Sequence, residues 1–176
     1  MPGRVGSAAV ALALIALSAA LVSCGGSSSS GTTSTAARQA PPAVGHTQRL
    51  HADNTTLAVN IQRVTFPLRG SGALLGPGDR AAAVEVAIRN TGHAAYDSSS
   101  ESDVKLRTSS GQLAEPAFAS SGVCTTTEID FLKDVEPGES RSGCVAFDVP
   151  KGSKPAAVRF EPNGRPALGR TWLVKK

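Results

Sequence analysis

Ala82-Ala83-Val84-Glu85-Val86-Ala87-Ile88-Arg89 sets Val84, Val86 and Ile88 on one face of an extended chain and Glu85 and Arg89 on the other. A period of two marks a half-buried strand, because successive side chains of extended backbone point to opposite sides. Asn90-Thr91-Gly92 then stops the run with residues suited to a turn. The same alternation returns in Val104 and Leu106 against Asp103, Lys105 and Arg107, and in Val145, Phe147 and Val149. Shorter pieces are Ile129 with Phe131, Val158 with Phe160, and Trp172 with Val174.

One run changes phase. Leu57, Val59 and Ile61 keep odd numbers, whereas Val64 and Phe66 keep even ones, so an extra residue enters the strand between them and predicts a β-bulge near Gln62-Arg63. Glu136-Pro137-Gly138 and Asn163-Gly164 supply further turns, where Gly and Asn accept positive φ. Beyond Asn54 no segment carries a helical period. Seven to eight short strands in about 120 residues fit an all-β, immunoglobulin-like β-sandwich, with an up-and-down barrel as the alternative.

Working toward the N-terminus, the pattern disappears. Gly25 to about Thr55 is Gly, Ser, Thr, Ala and Pro with few large apolar side chains, a composition that cannot offset the entropy of ordering. It reads as a tether; about 30 residues of Gly/Ser-like coil have an r.m.s. reach of roughly 30 Å. Before it, Arg4 is followed by a small or apolar run from Ser7 to Val22, the layout of an export signal. Leu21-Val22-Ser23-Cys24 ends that signal and marks Cys24 as the lipid-modified first residue of a mature chain. A spanning helix is the competing reading, but Gly25-Gly26 and a serine run follow, with no Lys/Arg cluster to stop transfer. The expected organisation is a signal peptide over 1–23, a lipid-anchored tether over 24–55 and the sandwich over 56–176.

The whole chain has 18 Lys+Arg against 14 Asp+Glu, a net of +4, which falls to +3 once Arg4 is removed with the signal. Phosphate-backbone binding needs basic residues gathered on one face with aromatic interleaving. Here Arg63, Arg69, Arg80, Arg89, Arg107, Arg141, Arg159, Arg165 and Arg170 are dispersed in sequence, so nucleic acid is not an expected partner.

With Cys24 acylated, Cys124 and Cys144 remain, and outside the cytosol they are expected to pair. Cys144 alternates with Val145, so the bond should lie on the outer face of its strand, near the surface. The only Trp, Trp172, follows both cysteines, unlike the antibody arrangement in which a Trp lies between them.

Reactive constellations are sparse. His46 and His51 sit in or beside the tether and His93 in a turn; His46, His51 and Asp53 are better read as polar linker residues than as metal ligands. Glu128, Asp130, Asp134, Glu136 and Glu139 form an acidic stretch, but without the sharp Gly turn of a calcium loop they read as solvated charge. Asn54-Thr55-Thr56 fits the glycosylation pattern without further support. No serine elbow, zinc helix or phosphate loop occurs, and Gly70-Ser71-Gly72 lacks the context of a dinucleotide site. The mature chain has no Met, which removes thioether copper handling. No catalytic residue, metal or cofactor is expected.

Several stretches resemble a known family. Val84 to Gly92, Asp103-Val104-Lys105-Leu106 with Ser110-Gly111, and Val135-Glu136-Pro137-Gly138-Glu139-Ser140 running through Gly143 and Val145 to Pro150 and on to Phe160-Glu161-Pro162 follow one another in the order of a bacterial group. That group comprises secreted and lipid-anchored proteins with a telokin-like, immunoglobulin-type domain of unknown function (DUF4352-type), related to immunoprotective extracellular antigens. The resemblance implies a sandwich in an extracytoplasmic setting and carries over no catalytic residues.

The function expected from the sequence is a non-catalytic binding or interaction domain, held at the membrane through Cys24, with an envelope protein or polymer as ligand. An inhibitor or assembly modulator of another envelope protein is the alternative, and a hydrolase using Asp or Glu ranks below both. The loops expected to make contact are Phe66 to Arg80 and Ala94 to Ser102, both rich in Gly or Ser.

Overall fold

A computed structural model describes residues 40–69, 74–118, 124 and 131–175. Eight strands carry the chain: β1 Thr47–Ala52, β2 Thr55–Thr65, β3 Arg80–Asn90, β4 Val104–Thr108, β5 Leu113–Pro116, β6 Ser140–Val149, β7 Pro155–Phe160 and β8 Arg170–Leu173. Their hydrogen-bonded order is β1-β2-β3-β6-β5-β4-β7-β8, and every named pair is antiparallel. Short β5 is the seam. Its Ala114 pairs with Leu106 of β4 and its Glu115 with Asp148 of β6, so it joins a β1-β2-β3-β6 layer to a β4-β7-β8 layer.

Alternation decides what the layers enclose. Val84, Val86 and Ile88 are buried while Arg89 is exposed, and Leu57, Val59 and Ile61 join them from β2. Val104, Leu106, Val158, Phe160 and Trp172 come from the other layer into the same cluster, which makes one shared core. Ile61 pairs with Val86 but Arg63 pairs with Glu85, so Gln62 is the extra residue and the bulge lies where the change of phase puts it. Trp172 is fully buried and its indole N–H donates to His46 O at 2.6 Å, which satisfies the ring's polar atom inside the core.

Three expectations need correction. The ordered domain starts well before Thr55: β1 pairs with β2 from Thr47↔Asn60 to Ala52↔Thr55. Pro42 to Gly45 belongs to it as well, because Leu173 N–H donates to Pro42 O, Val44 N–H to Leu173 O and Gly45 N–H to Ile61 O, each at 2.8–2.9 Å. This segment and Gln48, whose Nε2 donates to Thr171 O at 3.0 Å, close the gap between β1 and β8. Thr47–Ala52 hides its strand character because Leu50 is its one large apolar residue.

Phe131 lies in a turn rather than a strand, and Ile129 falls outside the described residues. Its ring is buried over Gly143 of β6, where an added Cβ would come within 2.7 Å of Phe131 Cε1 and closer still to Cδ1. Gly92 serves by close approach rather than positive φ, since a Cβ there would come within 2.5 Å of Thr56 N. Gly138 and the pair Asn163-Gly164, with φ of 84°, 53° and 64°, do use left-handed backbone.

Cys124 and Cys144 are bonded, with Cα atoms 5.3 Å apart. Cys144 points away from the main core, as its phase requires, but the bond is not open to water on both sides. Cys124 is 2% exposed, in a second small cluster with Leu68, Ala81, Ala83 and Ala146, flanked by Leu75 and Ala117. The loops before β3 and after β5 supply that cover, which strand phase alone does not reveal.

Candidate functional site

Buried ionisable residues mark both scaffolds and active sites. Asp103 ends the one-turn helix Ser100–Asp103 and is fully buried. Four donors converge on its carboxylate. Ser98 and Ser102 hydroxyls donate to Oδ1 at 2.8 and 2.9 Å, Gly164 N–H donates to Oδ1 at 3.1 Å, and the Tyr96 hydroxyl donates to Oδ2. Asn163 N–H in turn donates to the Tyr96 oxygen at 3.2 Å. Burial, followed by the neighbouring Asp103 carboxylate, pushes the Tyr96 phenol far above its ordinary value. The phenol therefore stays protonated and acts as a donor.

This network ties the Ala94–Ser102 loop down. Tyr96 also exchanges both backbone hydrogen bonds with Val135. Asn90, fully buried, spends its amide on Ala94 O and Val135 O and accepts from Thr55 Oγ1 and Gly92 N–H. One of the two loops expected to make contact is thus also a structural joint. Serines and one acid in sequence suggest solvent, and only the fold shows them facing one another.

The remaining residues singled out in sequence are scattered. Asp53 is bound by Arg165 Nη1 at 2.5 Å and Asn163 Nδ2 at 2.8 Å, while His51 faces Thr56 Oγ1 at 3.4 Å, so His46, His51 and Asp53 do not converge. Glu139 pairs with Arg141 Nε at 2.7 Å; that hydrogen bond, then the Glu136 N–H, holds its carboxyl below the usual glutamate range. Glu128, Asp130 and Cys24 lie outside the described residues, as do residues 70–73 of the Phe66–Arg80 loop. Among the described residues no group of three or more His, Cys, Asp or Glu is arranged to hold a metal ion.

A concave surface forms where sequence gave no sign of one. Ala40-Pro41-Pro42, His46 to Arg49, Arg159, Pro166-Ala167 and Gly169 to Thr171 line a cleft of about 1080 Å³ between β1 and β8. Arg49, Arg159 and Arg170, far apart in sequence, meet here because closure by Pro42–Gly45 brings the first strand to the last. Arg159 is held firmly: Nε donates to Glu161 Oε1 at 2.6 Å, Nη1 to Thr171 Oγ1 at 3.2 Å, and Nη2 to Pro166 O. Gly169 leaves room for that guanidinium, as a Cβ there would lie 2.9 Å from it. Among the described residues no Asp or Glu lines the cleft. Arg159 and Arg170, two of the arginines read as dispersed in sequence, thus share one cleft with Arg49.

Eight antiparallel strands in two layers around one core, with a closed first-to-last edge, define an all-β protein with an immunoglobulin-like β-sandwich domain. The chain belongs to the family that carries a domain of unknown function, DUF4352, which it matches over residues 42–165. That match begins at the first residue of the closing segment. Among solved structures it is similar to the secreted protein MPT63 of Mycobacterium tuberculosis, at 15% identity and a TM-score of 0.53, over 78% of this chain and 98% of that one. It is also similar to the yjhA protein of Bacillus subtilis, at 18% identity and a TM-score of 0.49, over 76% and 98%. The first of these likenesses shows the sandwich fold. A comparison with the curated proteins finds no match. No helix among the described residues is long and apolar enough to cross a membrane.

Proposed function

We propose that the protein is an extracytoplasmic lipoprotein whose sandwich domain is a non-catalytic binding module, held at the membrane through a lipid on Cys24. The observation that carries the binding role is the contrast between two sites. The fully buried Asp103 has its carboxylate bonded to four donors of its own chain, while the cleft between β1 and β8 presents cations to solvent with no lining acid among the described residues. Chemistry needs a group free to exchange protons or attack; Asp103 and Tyr96 are committed to holding the fold. The ligand is an envelope protein or polymer.

The address is supported by the Leu21-Val22-Ser23-Cys24 sequence and by a disulfide of the kind that persists outside the cytosol. Two measurements test this function. Cys24→Ala should release the protein or leave an unprocessed precursor, and membrane retention of a processed Cys24→Ala protein would refute the anchor. Crosslinking in intact cells followed by mass spectrometry should then capture a stoichiometric envelope partner; turnover of a substrate abolished by Glu128 or Asp130 replacement would overturn the non-catalytic reading.

A further inference from the structure

We infer that the cleft between β1 and β8 is an anion site for a phosphate-bearing ligand. The inference deepens the binding-module reading and rests on it; the lipid anchor bears only on where the phosphate comes from.

The geometry supplies both a fixed and a free part. Arg159 is the fixed part: three of its five N–H donors are taken by Glu161, Thr171 and Pro166, which sets the plane of the guanidinium and leaves two donors. Glu161 neutralises it, with its own side chain only 11% exposed. The excess positive charge therefore comes from Arg49 and Arg170. The Arg49 guanidinium makes no hydrogen bond or ion pair to another described residue, and that of Arg170 makes one, from Nη1 to Gly169 O at 3.2 Å. One guanidinium group free of partners, a second with a single backbone contact and a preset third, lining one cleft without a carboxylate among the described residues, match an anion that accepts several hydrogen bonds at once. A phosphate group has that oxygen-rich surface, and arginine's planar fork suits it. A neutral peptide or an apolar chain would leave both guanidinium groups without a counter-charge.

The position of the cleft narrows the source. Ala40-Pro41-Pro42 forms part of its wall, so it lies where the chain enters the domain. Sixteen residues separate Cys24 from Ala40 in sequence, which can span at most about 55 Å. For a lipid-anchored chain, headgroup phosphates are the nearest dense supply of this chemistry; soluble phosphate is the other source.

The test uses the full chain in neutral maltoside micelles, titrated with inorganic phosphate and separately with phosphatidylglycerol added to the micelles, against chloride at matched ionic strength. Amide and arginine side-chain NMR shifts of Gln48, Arg49, Arg159, Arg170 and Thr171 should move saturably. Arg49→Gln with Arg170→Gln should weaken binding by at least about tenfold, as expected for losing two charge-assisted contacts, while Arg107→Gln on β4 should not change it. Saturation at lower concentration by phosphatidylglycerol identifies a headgroup ligand, and saturation by phosphate alone a soluble one; either supports the anion site. No saturable shift with either probe, or an unchanged response in the double variant, overturns it. If the double variant loses its fold, the single Arg49→Gln variant decides by the same criterion. A phosphate-negative protein that still crosslinks its partner in cells would sink the anion site and leave the binding module standing.

Discussion

Gly143→Ala tests the placement of Phe131, which the core depends on and the strand pattern misreads. An added methyl carbon would stand within 2.7 Å of Phe131 Cε1, and nearer to Cδ1 and Cγ. Carbon atoms in ordinary contact sit about 3.5–4.0 Å apart, so the ring must retreat by roughly 1 Å or more. Such overpacking costs about 1–3 kcal/mol. Phe131→Ala removes a side chain that is 4% exposed, at a cost of about 3–5 kcal/mol for transfer and cavity together. The two changes occupy the same space, so the double variant should be less destabilised than their sum by at least about 1 kcal/mol. Urea unfolding followed through Trp172, the only tryptophan and fully buried, measures all four corners of the cycle. Additivity within about 0.5 kcal/mol would refute the contact, since independent sites add to that accuracy.

Asp103→Ala would orphan the buried Tyr96 hydroxyl and the Gly164 N–H at least, for a loss of at least about 3 kcal/mol in chemical denaturation; a loss under about 1 kcal/mol would mean that the network is not formed. Replacing Cys124 and Cys144 together by Ala opens a link between residues 20 apart and should lower stability by roughly 3 kcal/mol on the chain-entropy account; an unchanged denaturation midpoint would contradict it. The Glu139 carboxyl should titrate below the ordinary glutamate value in an NMR pH series, and Arg141→Gln should move its midpoint upward. Because the folded value is the lower one, this pair stabilises the protein above the ordinary glutamate range and loses its effect as pH falls through the folded value. A Glu139 midpoint indifferent to Arg141→Gln would show that the ion pair is not formed.

Strands were readable wherever several large apolar residues alternate. Val84, Val86 and Ile88, or Leu57 to Ile61 with the slip at Gln62, carry enough burial to fix face and register together. β1 and β5 escaped because Leu50 and Ala114 are nearly alone on their inward faces, and Pro116 marks β5 as unlike a strand. Phe131 escaped for the opposite reason: its alternation with Ile129 mimics a strand, while its burial depends on the missing side chain of Gly143. The candidate site was the least legible part. Arg49, Arg159 and Arg170 are brought together only by pairing of the first and last elements, a long-range contact with no local signature. The disulfide partners were evident from their number, but the small cluster covering Cys124 depends on loop packing.

Closure by Pro42–Gly45 also limits how a partner can be read. A free sheet edge offers its backbone to any extended peptide, which can then dock by adding a strand. At the outer rim of β8 that route is blocked, since the amide and carbonyl of Leu173 are engaged by Pro42 and Val44 and the carbonyl of Thr171 by Gln48. The chain's own entry segment acts as a built-in blocking strand, protecting this rim against edge-to-edge aggregation as well. Recognition here must therefore work through side chains, and its strength should fall with added salt and show little preference for β-forming sequences.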